Sequence, residues 1–234
     1  MLCAYLRLPY DPDPGEDATP AARSAYRANR EVRHTIIRLI GTHLRPGVAV
    51  SWQGLNLDFT GVVFDSGDFT GARFSGGEVC FRGAVFSSGR VDFGHAVFSG
   101  GAVDFGGAVF SGGAVSFGHA VFSGGLVGFR GAEFSGSAVD FGGAVFSGGL
   151  VDFSVAVFSG GEVGFRGAEF SGSTVGFSGA EFSGSTVDFG GAKFSSGTVD
   201  FSNPRRWSQP PVFDWADAPP AGVILPVGAD ATPA

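Results

Sequence analysis

From Phe59 to Phe201 a phenylalanine recurs at every fifth or seventh residue, twenty-five times in succession. The first steps are 5, 5 and 5 (Phe59, Phe64, Phe69, Phe74), and after that 7 and 5 alternate as far as Phe194 and Phe201. The unit then reads Ala-x-Phe-Ser-Gly-Gly-x-Val-x-Phe-Gly-Gly, twelve residues long. Extended chain points successive side chains to opposite faces. The pairs Leu57/Phe59, Val62/Phe64, Ala72/Phe74, Ala84/Phe86 and Val91/Phe93 therefore share an inner face, and the residues between such pairs (Asp58, Arg73, Asp92, Glu133, Lys193) mark the outer one. Gly and Ser fill the corners, where positive φ and close approach cost little. Self-similarity at a short fixed period predicts a solenoid, in which each unit buries its apolar face only by stacking on its neighbours.

The four pentapeptides LDFTG, VVFDS, GDFTG and ARFSG, from Leu57 to Gly76, predict one square turn with a pentapeptide on each side. From Gly77 onward every second unit carries two extra residues, so a turn holds either one twelve-residue unit or two. Charge placement decides between them. The outward residues of the Val-x-Phe units run Asp92, Asp104, Ser116, Gly128, Asp140, Asp152, Gly164, Gly176, Asp188, Asp200. A 12-residue turn stacks Asp92 under Asp104 at about 4.8 Å, whereas a 24-residue turn puts a neutral residue between successive aspartates on each face. Like charges directly opposed destabilise a sheet, so the segment 77–196 is expected to form five turns of two units each.

The flanks break the pattern. Residues 1–53 read as a helical head, 54–202 as the solenoid and 203–234 as a C-terminal cap with a loose Pro/Ala-rich tail. Met1–Tyr10 look like the end of a helix whose start is missing, so the head is expected to continue a truncated domain. Thr19-Pro20 then gives an N-cap and first-turn proline for a helix to Leu44, stopped by Pro46-Gly47. Its expected apolar face is Val32, Ile36, Ile37, Leu39, Ile40 and Leu44. Opposite it, Arg23, Arg27, Arg30, His34 and Arg38 form a basic stripe that is either a solvated face or a docking surface for anionic lipid or an acidic partner.

The small residue two places before each phenylalanine, as in Ala-x-Phe-Ser-Gly, resembles the pattern of the pentapeptide-repeat proteins. That resemblance implies an all-β, right-handed quadrilateral β-helix, here with 20- then 24-residue turns and a short N-terminal helical region. More narrowly, LCAYLRLPYDPDPG, VRHTIIRLIGTHL and SWQGLNLDFTGVVFDSGDFTGA resemble an actinobacterial subgroup in which a longer N-terminal region, often membrane-spanning, precedes this stretch. A non-catalytic scaffold for an unknown protein partner is the function this implies. It would lie in the cytoplasm, at the inner face of the membrane, with membrane association through a region outside this chain. The alternative is a DNA mimic that binds a topoisomerase such as gyrase, as some pentapeptide-repeat proteins do. Against this, Gly and Val dilute every acidic row.

Charge and composition narrow the chemistry. The chain carries −7, distributed as +2 on the head, −8 on the solenoid and −1 on the tail. An acidic rod excludes general nucleic-acid binding, which needs clustered Lys and Arg. Cys3 and Cys80 are too few and too far apart to suggest a disulfide framework, and fit a reducing cytoplasm. The separated aspartates do not form an oxygen cage for calcium, and His95 and His119 lack partners at zinc spacing. No Ser-His-Asp constellation or phosphate cradle accompanies the Ser-Gly corners, so neither enzyme, cofactor nor metal is expected. The candidate interaction surface comprises the aspartates Asp92, Asp104, Asp140, Asp152, Asp188 and Asp200 and the outward valines. With a 24-residue turn Val97, Val121 and Val145 stack on one side and Val85 and Val109 on the other. Such a stripe is either a contact, including one between two copies of the chain, or valine's ordinary preference for strands.

Overall fold

A row of large apolar side chains facing the same way along an extended chain has to find a second row to cover it, and here each coil covers the next. The computed structural model describes residues 2–215 and 218–228. Among them the chain's 26 phenylalanines stack in four columns along the rod. In the first, Phe59, Phe81, Phe105, Phe129, Phe153, Phe177 and Phe201 follow one another at centroid separations of 4.5–4.9 Å. Columns starting at Phe64, Phe69 and Phe74 repeat the arrangement. Two columns meet edge-to-face across the rod axis, as Phe105 and Phe117 do at 5.7 Å and 85°. This is the geometry that the ring quadrupole favours.

Register fixes the coil. Val121 pairs in parallel with Val97 below and Val145 above, so one coil is two twelve-residue units. Each coil consists of two eight-residue segments joined by two four-residue turns. Val97–Asp104, Val121–Gly128 and Val145–Asp152 lie in one sheet of eight strands, while Glu133–Asp140 and Val157–Gly164 lie in the other. Phe105–Ala108 is a typical turn, closed by the Ala108 N–H donating to the Phe105 carbonyl at 3.0 Å. The inserted Gly-Gly carries a register shift, between Phe122 and Leu126 for example. An extra pair of residues at a bulge lets extended chain continue where a strict pentapeptide would turn. Four phenylalanine columns thus remain, but the sides of the coil join two by two into broad sheets. The lowest turn pairs Leu57 with Val79 and so is two residues longer than four pentapeptides, because Gly76-Gly77 lies inside the strand Arg73–Cys80.

The rod continues past residue 202. Arg206–Trp207 pairs with Glu181–Phe182, Val212 bridges to Asp188, and Val223–Ile224 pairs with Val199–Asp200. Trp207 meets Phe201, Phe213 stacks on Phe189 at 5.2 Å and Trp215 stands against Phe194, covering the last rings. The segment 216–234, expected to be loose, lies partly outside the described residues.

At the other end, α1 (Leu2–Leu6) and α2 (Pro20–Leu44) cover the lowest coil. Thr19 caps α2, its hydroxyl accepting from the Ala22 N–H at 3.2 Å. Ile36, Ile37, Ile40 and Leu44 are buried against the rod together with Leu6. Two expected members of that face, Val32 and Leu39, are exposed, and Arg33 is buried in their place. The reason is that α2 lies close on residues 67–69. A Cβ on Gly41 would overlap the Asp68 carbonyl oxygen, so only glycine admits this approach, and the contact fixes which helical residues turn inward.

Candidate functional site

The aspartates occupy the alternating positions that the 24-residue turn predicts: Asp104 and Asp152 flank Gly128, and Ser116 and Gly164 flank Asp140. One pair departs from this, Asp68 lying beside Asp92, and each of these is matched by an arginine, Arg45 and Arg90. Every carboxylate of the candidate set has a local task. One oxygen each of Asp92, Asp104, Asp140, Asp152, Asp188 and Asp200 accepts the backbone N–H two residues on, at 2.7–2.8 Å. This is an Asx turn at the coil corner. The second oxygen of Asp104 pairs with Arg82 at 2.5 Å, that of Asp188 with Arg166 at 2.5 Å, and that of Asp92 with Arg90 at 2.8 Å. The recurring Asp-Phe-Gly or Asp-Phe-Ser spacing is the sequence signal for these turns.

The valines divide between the sheets. Val97, Val121 and Val145 stack in register in the eight-stranded sheet, and Val85 and Val109 in the other. All five are half-buried. Register adds what periodicity did not show: a second outward row, Ala102, Leu126 and Leu150, runs through the same three coils. Leu126 and Leu150 are each 42 % exposed. On the opposite sheet Val63, Val85 and Val109 also stack, but Glu133 follows Val109, and the adjacent row runs from Arg90 through Ala114 and Ala138 to Glu162, with no leucines.

Three corners carry a non-glycine residue in the left-handed region: His95 and His119 at φ 57° and Val155 at φ 52°. The two imidazoles stack at 5.2 Å and 12°, which points their nitrogens alongside one another rather than at a common point. Among the described residues no three His, Cys, Asp or Glu side chains are grouped to hold a metal ion. Cys3 and Cys80 are free thiols.

The basic stripe of α2 is partly consumed by the rod. Asp65, buried at the junction, accepts from Arg30 Nε at 2.8 Å, Tyr10 Oη at 2.9 Å and His34 Nε2 at 2.7 Å. Burial works against its charge, but the hydrogen bonds from His34, Arg30 and Tyr10 prevail and hold the carboxyl below its ordinary range. Burial, with hydrogen bonds to Tyr26 and Asp65, pushes the Tyr10 phenol up. Arg33 donates to the Leu6 and Val63 carbonyls at 2.9 and 3.0 Å and lies over the Tyr10 ring. Arg27 and Arg38 keep an exposed, solvated position. No helix of the described residues is long and apolar enough to cross a membrane.

No protein-family model and no curated protein matches this chain. Among solved structures it is similar to trypsin-treated QnrB1, a plasmid-mediated fluoroquinolone resistance protein, at 22% identity over 69% of this chain and 87% of that one, with a TM-score of 0.23.

Proposed function

We propose that the protein is a non-catalytic scaffold whose work is done by the outward rows of its two sheets. One observation carries this reading: the carboxylates that look like a free acidic array are bound into corner turns, three of them also by arginine, while the residues left outward form long, open rows in register. Such rows offer a repeated contact surface and no converging donors and acids. The quoted sequence stretches further support placing the chain in the pentapeptide-repeat family and in the actinobacterial subgroup whose N-terminal region is membrane-associated. The DNA-mimic reading is favoured by the −8 of the solenoid, and weakened because those carboxylates do not stand as a dense uncompensated face.

Immobilised protein, exposed to a lysate of the source organism, tests the scaffold. A retained protein that is lost when Glu133 and Glu162 are changed to Lys, or when Leu126 and Leu150 are, supports it; retention that ignores both faces opposes it. A supercoiling assay tests the alternative. Unchanged gyrase activity at micromolar protein removes it.

A further inference from the structure

A two-row outward apolar area lies on the eight-stranded sheet, where Val97, Val121 and Val145 run beside Ala102, Leu126 and Leu150. Only Ser and Gly separate the rows, so little side chain stands between them. The ends of the valine row are charged and opposite in sign. Arg73 pairs below Val97, and Glu169 pairs above Val145. Among the described residues Arg73 forms no ion pair, and Glu169 has a long contact of 3.4 Å with Lys193.

We infer that this sheet binds a second copy of the chain, face to face and antiparallel, about a two-fold axis that crosses the coil of Val121 and Leu126. The axis is chosen by complementarity. Reversing the rod about that coil sets Arg73 opposite the partner copy's Glu169, and it does so twice. It sets the small Ala102 opposite Leu150 and matches Val97 with Val145. A self-complementary patch of this kind closes into a dimer and goes no further. The footprint covers five coils of about 4.8 Å and strands of eight residues at about 3.3 Å, roughly 600 Å² per copy. About 1,200 Å² in total is the lower bound of specific interfaces, so the expected dimer is a micromolar one. The opposite sheet is a poorer candidate, since Glu133 and Glu162 interrupt its two rows on successive coils. This inference rests on the scaffold reading and names one partner within it.

Sedimentation equilibrium from 2 to 100 micromolar tests the pairing, with circular dichroism to verify that each variant is folded. The parent is expected to dimerise, and Leu126→Lys to be monomeric throughout. Arg73→Glu and Glu169→Arg should each weaken the dimer about tenfold, and the two together should restore it, because the reversed charges again face their opposites. A monomeric parent, or a dimer indifferent to Leu126→Lys, overturns the interface. A doubly reversed chain no better than the single variants overturns the antiparallel register. A monomeric parent leaves the lysate experiment able to support the scaffold by itself, so the two readings fail separately.

Discussion

Replacing Phe117 by alanine should divide the rod at mid-height. Its ring has no exposed surface. It stacks between Phe93 at 4.9 Å and Phe141 at 4.7 Å and meets Phe105 and Phe129 edge-on at 5.7 and 5.9 Å. Burying a ring this completely makes its truncation cost ~3–5 kcal/mol, the spread reflecting how far the site collapses. Collapse is resisted here, because the Phe117 N–H donates to the Asp140 carbonyl of the coil above and the Ala120 N–H to the Phe117 carbonyl. The backbone is thus pinned, which places the loss near ~5 kcal/mol, comparable with the whole stability of a small domain. Coils touch only their neighbours, so the deficit falls on one junction instead of spreading along the rod. The tryptophans report the two ends separately: Trp52 beside α2, Trp207 and Trp215 on the last coil. Urea unfolding of Phe117→Ala, read by fluorescence in variants keeping either Trp52 or the other two, should show non-coincident transitions where the parent shows one. A single coincident transition within about 1 kcal/mol of the parent would refute the inward stack as the source of cohesion.

Val155→Gly should stabilise the protein by about 0.5–1 kcal/mol in thermal melts, since a β-branched residue at φ 52° is strained by about 1–2 kcal/mol and glycine returns part of that as unfolded-state entropy. Asp140→Ala should cost about 1 kcal/mol through the lost turn acceptor, whereas Asp140→Asn, which keeps an acceptor for the Gly142 N–H, should be near neutral; equal losses would mean that charge, not the turn, matters. Asp65 is held below its ordinary value, so its stabilisation is complete above about pH 4 and fades as acid protonates the folded carboxyl. Asp65→Asn should lower stability at pH 7 and flatten the decline below pH 4, and an unchanged acid slope would show that other groups carry it.

What could be read from the sequence was whatever depends on period. Phenylalanines at steps of 5 and 7 give the columns, and alternation of aspartates with Gly128, Gly164 and Gly176 gives the 24-residue coil. What depends on register or on docking was not readable. Leu126 and Leu150 each look like a chance outward leucine until pairing sets them beside Val121 and Val145. Arg33 lies within an otherwise basic and polar stretch, and only the close seat of α2 on Asp68, which Gly41 permits, turns it inward. Asp65 follows Phe64 at a corner position that Ser fills in the later units, so nothing in its spacing announced that it anchors the cap. The Asx turns stand between these cases: Asp-Phe-Gly or Asp-Phe-Ser is visible in the sequence, but spacing alone does not distinguish a free acidic surface from a set of corner acceptors.

Two eight-residue segments per coil also mean that units twelve residues apart lie on opposite sheets, while their inward residues are interchangeable. Core and surface are thereby uncoupled, which is how one sheet carries Val121 and Leu126 while the other carries Glu133 and Glu162. Deleting residues 157–168 should therefore leave a folded rod: Ala156 joins Glu169 as Ala168 did, and each phenylalanine above finds an equivalent column after the upper rod rotates by half a turn. Cooperative melting and the strand signal in circular dichroism should persist, whereas removal of only six residues, 157–162, should abolish both by setting inward residues against the corners. The twelve-residue deletion has a second consequence. It carries Glu169 to the opposite sheet but brings Glu181, twelve residues on, into the same place above Val145 and facing Arg73 of a second copy, so any dimer should persist. A twelve-residue deletion that unfolds the chain would mean the two sheets are not equivalent inside, and the phenylalanine columns would then be specific to their side.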